Sequence, residues 1–212
     1  MEYTLRVIHV RSIHATTSLL NIPACSLFSL AIRAGANASS AVAWAPSDVL
    51  DGLDAFLEAS FGRNLLARAP GGGIENTGIA RAVNEALLQA QPLPRDVNGT
   101  ARWALSLFAM WPRDEPAAFS GLLAKGGFAV SAAYDNTTQA VVSPITVVAQ
   151  HTLRGAAQSR ATLVAPWGAG RDVTVHCGGI LTPTTWESPS LVSFDAPARI
   201  SCLVALSARG TS

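Results

Sequence analysis

Apolar positions along the chain follow two rhythms, and the change between them divides it. Before about residue 92 they recur at helical spacing, and beyond about residue 127 they alternate. Ile79, Val83, Ala86, Leu87 and Ala90 stand at i, i+4, i+7, i+8 and i+11, one face of a 3.6-residue repeat, which predicts a helix. A second helix is predicted from Ser47, an N-cap type with Asp48 and Asp51 in the first turn, to Gly62. Its apolar face is Val49, Leu50, Leu53, Phe56, Leu57 and Phe61. An earlier helix begins near Pro23, repeats through Ala24, Leu27, Phe28 and Ala31, and ends at Gly35. Residues 1–17 carry only a brief alternation and stay unassigned.

The junction is mixed. Pro92, Pro94 and the Asn98-Gly99 pair mark a loop. Trp103, Leu105, Leu107, Ala109 and Trp111 alternate as in a strand, and Pro112 stops the run. Residues 113–126 are expected to be a linker with a short helix from Pro116 to Leu123, its inward side Phe119, Leu122 and Leu123, broken by Gly126-Gly127.

From Phe128 the period is two: Phe128, Val130, Ala132 and Tyr134 share a face. Asp135-Asn136 is a turn, and Ala140–Val148 supplies the hairpin partner, with Pro144 demoting part of it to an edge or bulge. Ala161–Ala165, Val173–Cys177, Leu191–Phe194 and the alternating Ile200, Cys202, Val204 and Leu206 complete six or seven strands. Residues 127–212 are therefore expected to form a small antiparallel β-sandwich.

Composition narrows the function classes. Hydrophobic residues make up 49% and charged residues 14% of 212, enough for a core and unlike a disordered chain. A net charge of +1 with no basic block argues against a nucleic-acid surface. No apolar run reaches the length of a membrane span, so no membrane partner is expected. The stretch MEYTLRVIHVRSIHATTSLL makes a poor signal peptide, because Glu2, Arg6, His9, Arg11 and His14 interrupt its apolar part. Three sequons, at Asn37, Asn98 and Asn136, would permit glycosylation in a secretory pathway. The compartment and the oligomeric state stay open.

Cys25, Cys177 and Cys202 form no CxxC pair and the four histidines no HxxxH pair, so neither a metal nor another cofactor is expected. Cys177 and Cys202 are placed to bridge in a secreted chain; two buried thiols is the default reading. The triple glycine Gly71–Gly73 lacks the GK[ST] of a phosphate loop, and no GxSxG elbow occurs. After the glycines come a carboxylate, Glu75, and an amide, Asn76, at the start of the Ile79 helix. Taken alone, this is a glycine turn and an acidic helix start.

GGGIEN, then NEALLQ, FAMWPRD and FSGLLAKGGFAVSAAY, in that order and spacing, resemble the last part of glycoside hydrolase family 95, with RAGANASS extending the match back to about Arg33. That family contains α-L-fucosidases and α-L-galactosidases. The resemblance implies an α+β two-part chain: residues 18–112 as helices from the end of an (α/α)6 barrel, followed by the sandwich. It implies inverting hydrolysis of α-L-fucosyl or α-L-galactosyl linkages, an oligosaccharide or glycan as substrate, and a chain that is a fragment lacking most of the barrel. Aligned backward from Leu87-Leu88-Gln89, the family's late acid falls at Ile74 or Glu75, and only Glu75 bears a carboxyl. Glu75 is thus the candidate catalytic residue and Asn76 a candidate substrate contact, although the family has an aspartate at this place. The alternative is a non-catalytic remnant whose sandwich binds a carbohydrate or a protein. In either case Trp111, Trp167 and Trp186 are candidate rings for stacking on a sugar.

Overall fold

A computed structural model describes Pro46, Ser47, Leu50, Asp51 and Asp54, and residues 79–207 apart from Asn98, residues 151–157 and Gly170. Helix α1 spans Ile79–Leu87. Eleven strands follow among the described residues: β1 Leu88–Leu93, β2 Arg102–Leu107, β3 Ala117–Ala124, β4 Phe128–Asp135, β5 Ala140–Ala149, β6 Gln158–Val164, β7 Val173–Cys177, β8 Ile180–Thr182, β9 Thr184–Ser188, β10 Leu191–Pro197 and β11 Ser201–Leu206. They form a five-stranded sheet in the order β1-β2-β6-β10-β9 and a six-stranded sheet in the order β3-β4-β5-β11-β7-β8. Each neighbouring pair is antiparallel except β2 and β6, which run parallel. The sheets lie in one compact unit, Leu87–Ala109 with Arg113–Ser212, while α1 up to Ala86 belongs to a second.

The alternating pattern places the core. Leu105, Leu163, Val192 and Phe194 of the five-stranded sheet are fully buried, as are Val130, Ile145, Val147, Val175 and Val204 of the six-stranded one. Strand β10 lies against β5 and β7, and β6 against β5, so the two apolar faces meet as in a sandwich. Arg199 N–H donates to Ala149 O at 2.7 Å, which ties the β10–β11 connection to the end of β5.

The expected helical-barrel portion is a correction: the described residues are mainly β, with helix only at Ile79–Leu87 and at the few described positions from 46 to 54, and hold no part of an (α/α)6 barrel. The helix predicted through Ala90 stops at Leu87. Leu88–Leu93 instead pairs along its whole length with β2, from Leu88 opposite Leu107 to Leu93 opposite Arg102. Phe108 N–H takes the Leu87 carbonyl at 2.8 Å, so that carbonyl closes the sheet. Pro92 is tolerated because β1 is an edge strand. The short helix expected from Pro116 to Leu123 is also corrected, to strand β3. Gly121 there has φ of +67°, which no right-handed helix interior accommodates. The register with β4 shifts between Phe119 and Leu122, and the Gly121 N–H donates to Ser131 Oγ at 2.9 Å.

Pro144 falls where the β4–β5 register shifts, between the pairs Ser131–Thr146 and Ala133–Val142. Strands β8 and β9 were not expected, because Ile180–Ser188 has no apolar alternation. Pro46, Ser47, Leu50, Asp51 and Asp54 are helical, and Ser47 lies within that helix where it was expected to cap it. The Pro23 helix and residues 1–17 fall outside the described residues.

Cys177 and Cys202 face each other across β7 and β11 and form a disulfide, with Cα atoms 4.0 Å apart. Both are buried. The default of two thiols is thus replaced by the bridge that the sequence left open.

Candidate functional site

One end of the sandwich opens into a cleft of about 370 Å³. Five segments meet there: the β1–β2 loop, the start of β2, the β3–β4 turn with the start of β4, the start of β6, and the far end of β10. Register decides which side chains they bring. Strand β6 runs parallel to β2 with Ala104 opposite Thr162, so two residues earlier Arg102 stands level with Arg160. Strand β10 places Asp195 directly opposite Arg160. Three charged side chains therefore form a row across three strands.

Two adjacent guanidinium groups repel one another unless countered. Glu187, on β9 and outside the cleft wall, supplies the counter-charge. Its Oε1 accepts a hydrogen bond from Arg102 Nη2 and lies 3.6 Å from Arg160 Nε. Asp195 Oδ1 stands 3.5 Å from Arg160 Nη1. Ser193 Oγ also donates to Glu187 Oε1, at 2.6 Å. Because a carboxylate only accepts and the Ser193 proton is thus committed, the 2.8 Å contact between Thr162 and Ser193 is a donation by Thr162. A relay of hydroxyls, both residues buried, holds the carboxylate behind the arginines. The Arg102 hydrogen bond above all keeps the Glu187 carboxyl below its ordinary value; burial opposes it, and the Ser193 hydrogen bond and the charges of Arg102 and Arg160 add to the lowering.

The lining is also aromatic. Trp103, next to Arg102 on β2 and so directed to the opposite side of the strand, lines the cleft with Phe128. Lys125 Nζ lies 5.0 Å from the centre of the Trp103 ring, a cation–π contact made from outside the cleft wall. Gly126 lets the β3–β4 turn close on both rings. A Cβ there would come within 3.0 Å of Phe128 Cε2 and 3.1 Å of Trp103 Cδ1, and its φ of +92° is a glycine conformation.

The β1–β2 loop is held by Asp96, whose Oδ1 accepts from Thr100 N–H at 2.7 Å, and by Arg95 Nη1, which donates to Gly99 O at 2.7 Å. Asp96 and Thr100 complete the polar rim together with Gln158 and Ser159. The cleft thus brings an aromatic surface, Trp103 over the buried Phe128, and a set of planar and hydroxyl hydrogen-bonding groups to one opening.

Of the residues singled out in the sequence, Glu75 and Asn76 lie outside the described residues. The indole of Trp167 donates to Val141 O at 2.7 Å, which anchors it to β5. Trp186 lies on β9, opposite Val192 of β10. Neither lines the cleft, and Trp111 does not line it either. The pattern missed Arg102, Trp103, Arg160, Glu187 and Asp195 as site residues. The only trace it offered was a charge immediately beside each of three expected strands, Arg102, Arg160 and Asp195, which the ends of any solvated strand also show. No group of three His, Cys, Asp or Glu among the described residues is placed to hold a metal ion, and no described helix is long and apolar enough to cross a membrane. Compared with known proteins, the chain matches no protein-family model and no curated protein.

Proposed function

We propose that the sandwich is a non-catalytic glycan-binding domain that takes a sugar residue of an oligosaccharide in the cleft bounded by Trp103, Phe128, Arg102, Arg160 and Asp195. One observation carries this reading: an indole ring, a phenyl ring beneath it, a row of fork-shaped donors and carboxylate acceptors all line the same opening. A pyranose has the matching surfaces, a C–H face that packs on rings and a rim of hydroxyls that both donate and accept. The volume stands at the small end of small-molecule sites and suits one or two sugar residues. The disulfide adds support, since such bridges persist in oxidising compartments, where extracellular glycans are met.

The hydrolytic reading implied by the family resemblance, with Glu75 as the acid, requires a second carboxyl roughly 6.5–9.5 Å from the first for inverting chemistry. Glycan binding at the cleft stands without it. The test is calorimetric titration of the full chain with methyl α-L-fucopyranoside and methyl α-L-galactopyranoside. Saturable binding that weakens roughly tenfold in Trp103→Ala, equivalent to about 1.4 kcal/mol, is the expected result. Binding unchanged by that substitution would remove the cleft from the reading.

A further inference from the structure

The cleft contains two arginines yet is balanced against anions by a residue that never reaches its wall. Arg102 and Arg160 carry two positive charges side by side, an arrangement suited to a uronate or sulfate group by bidentate pairing. Asp195 faces Arg160 from the next strand, and Asp96, on the β1–β2 loop, also lines the cleft. Glu187 lies behind both arginines, taking the Arg102 hydrogen bond and standing within ion-pair distance of Arg160. Its position is set by Ser193 and, through it, Thr162, so the charge is fixed by the sheet. In the lining itself two arginines, Arg102 and Arg160, stand with two carboxylates, Asp96 and Asp195, and Glu187 adds a third negative charge from behind.

We propose that Glu187 is the positioning residue that makes this cleft select uncharged saccharides, by satisfying the arginine charges from behind so that their remaining N–H groups serve only as donors to hydroxyls. The inference rests on the glycan-binding reading and deepens it. A carboxylated sugar entering the cleft would meet Asp195 and Asp96 in front and arginines already paired behind. A neutral sugar loses nothing there, because hydroxyls accept from a guanidinium whether or not its charge is countered. The pair chosen to test this differs only at C6: methyl α-L-galactopyranoside and its C6 carboxylate, the corresponding uronate.

The experiment is calorimetric titration of the full chain and of Glu187→Gln with both sugars, at low and at moderate salt. The wild type is expected to bind the neutral galactoside at least about tenfold more tightly than the uronate. Glu187→Gln, which keeps the side chain's shape and removes its charge, is expected to narrow or reverse that ratio through tighter uronate binding that fades with salt, as an uncovered cation requires. A loss of stability alone would weaken both sugars together and leave the ratio unmoved, which would overturn the proposal. A wild type that prefers the uronate would overturn it too, and that comparison decides even if the variant does not fold. Binding of neither sugar by the wild type would overturn the glycan-binding reading beneath it, an outcome distinct from the other two.

Discussion

The two sheets of the sandwich solve the same problem by different means. Each buries one apolar face against the other, but the six-stranded sheet locks its β7–β11 pairing with a covalent bridge between directly opposed residues. The five-stranded sheet carries a polar relay instead, Thr162 to Ser193 to Glu187 to Arg102 and Arg160, running through β6, β10, β9 and β2. A disulfide is indifferent to pH and salt and acts largely on the unfolded chain. A hydrogen-bonded charge network responds to both, and it fixes which groups face the opening. Both sheets line the cleft, but only the five-stranded one carries its charged row.

Breaking the bridge should have the largest effect on stability and the smallest on the cleft. The loop that it closes spans 25 residues, so Cys177→Ala with Cys202→Ala is expected to cost about 3.5 kcal/mol in urea unfolding. Sugar affinity in the folded fraction should stay within about twofold, because neither cysteine lines the cleft.

Next comes the relay. Glu187→Gln keeps an acceptor oxygen but takes the counter-charge from Arg102 and Arg160, and is expected to cost about 1–3 kcal/mol. The pH dependence carries the same signature with a definite sign. The folded Glu187 carboxyl is held below its ordinary value of 4.5, so its contribution is complete above that value and lost as pH falls through the lower, folded one. Asp135, lowered chiefly by the Thr137 N–H and then by the Thr138 hydroxyl, shares the acid limb. Unfolding free energy followed from pH 6 to pH 2 should therefore fall in the wild type and fall less steeply in Glu187→Gln.

The smallest stability effect belongs to Gly126→Ala. The positive φ and the close approach to Phe128 and Trp103 predict a loss of about 1 kcal/mol by thermal unfolding, together with weaker sugar binding as the rings are pushed apart. A variant that kept wild-type affinity would show that the ring spacing is not what the ligand reads.

The sequence exposed some strands of each sheet far better than others. Phe128, Val130 and Ala132 alternate cleanly and are buried in that phase, so β4 was legible. Ala90 was not, because it continues the helical repeat of Ile79 and Val83; only pairing with β2, a contact between segments apart in the chain, puts it in a strand. Phe119, Leu122 and Leu123 likewise mimic a short helix, and the bulge at Gly121 that accounts for their spacing has no local signature. The site was hidden for a related reason. Arg102 and Arg160 are 58 positions apart in the chain, and a parallel pairing between strands from different hairpins sets them side by side. Glu187 sits in Thr184–Ser188, a run with no apolar rhythm to announce a strand. Local periodicity reports a strand's faces and says nothing of its neighbours.

The most direct measurement is an indole N–H spectrum of the ¹⁵N-labelled full chain as methyl α-L-fucopyranoside is added, with Trp103 assigned through Trp103→Phe. The Trp103 signal should move in a saturable way while that of Trp167, held on Val141 O, stays still. A still Trp103 signal, or movement confined to Trp167 or Trp186, would contradict a glycan site at this end of the sandwich.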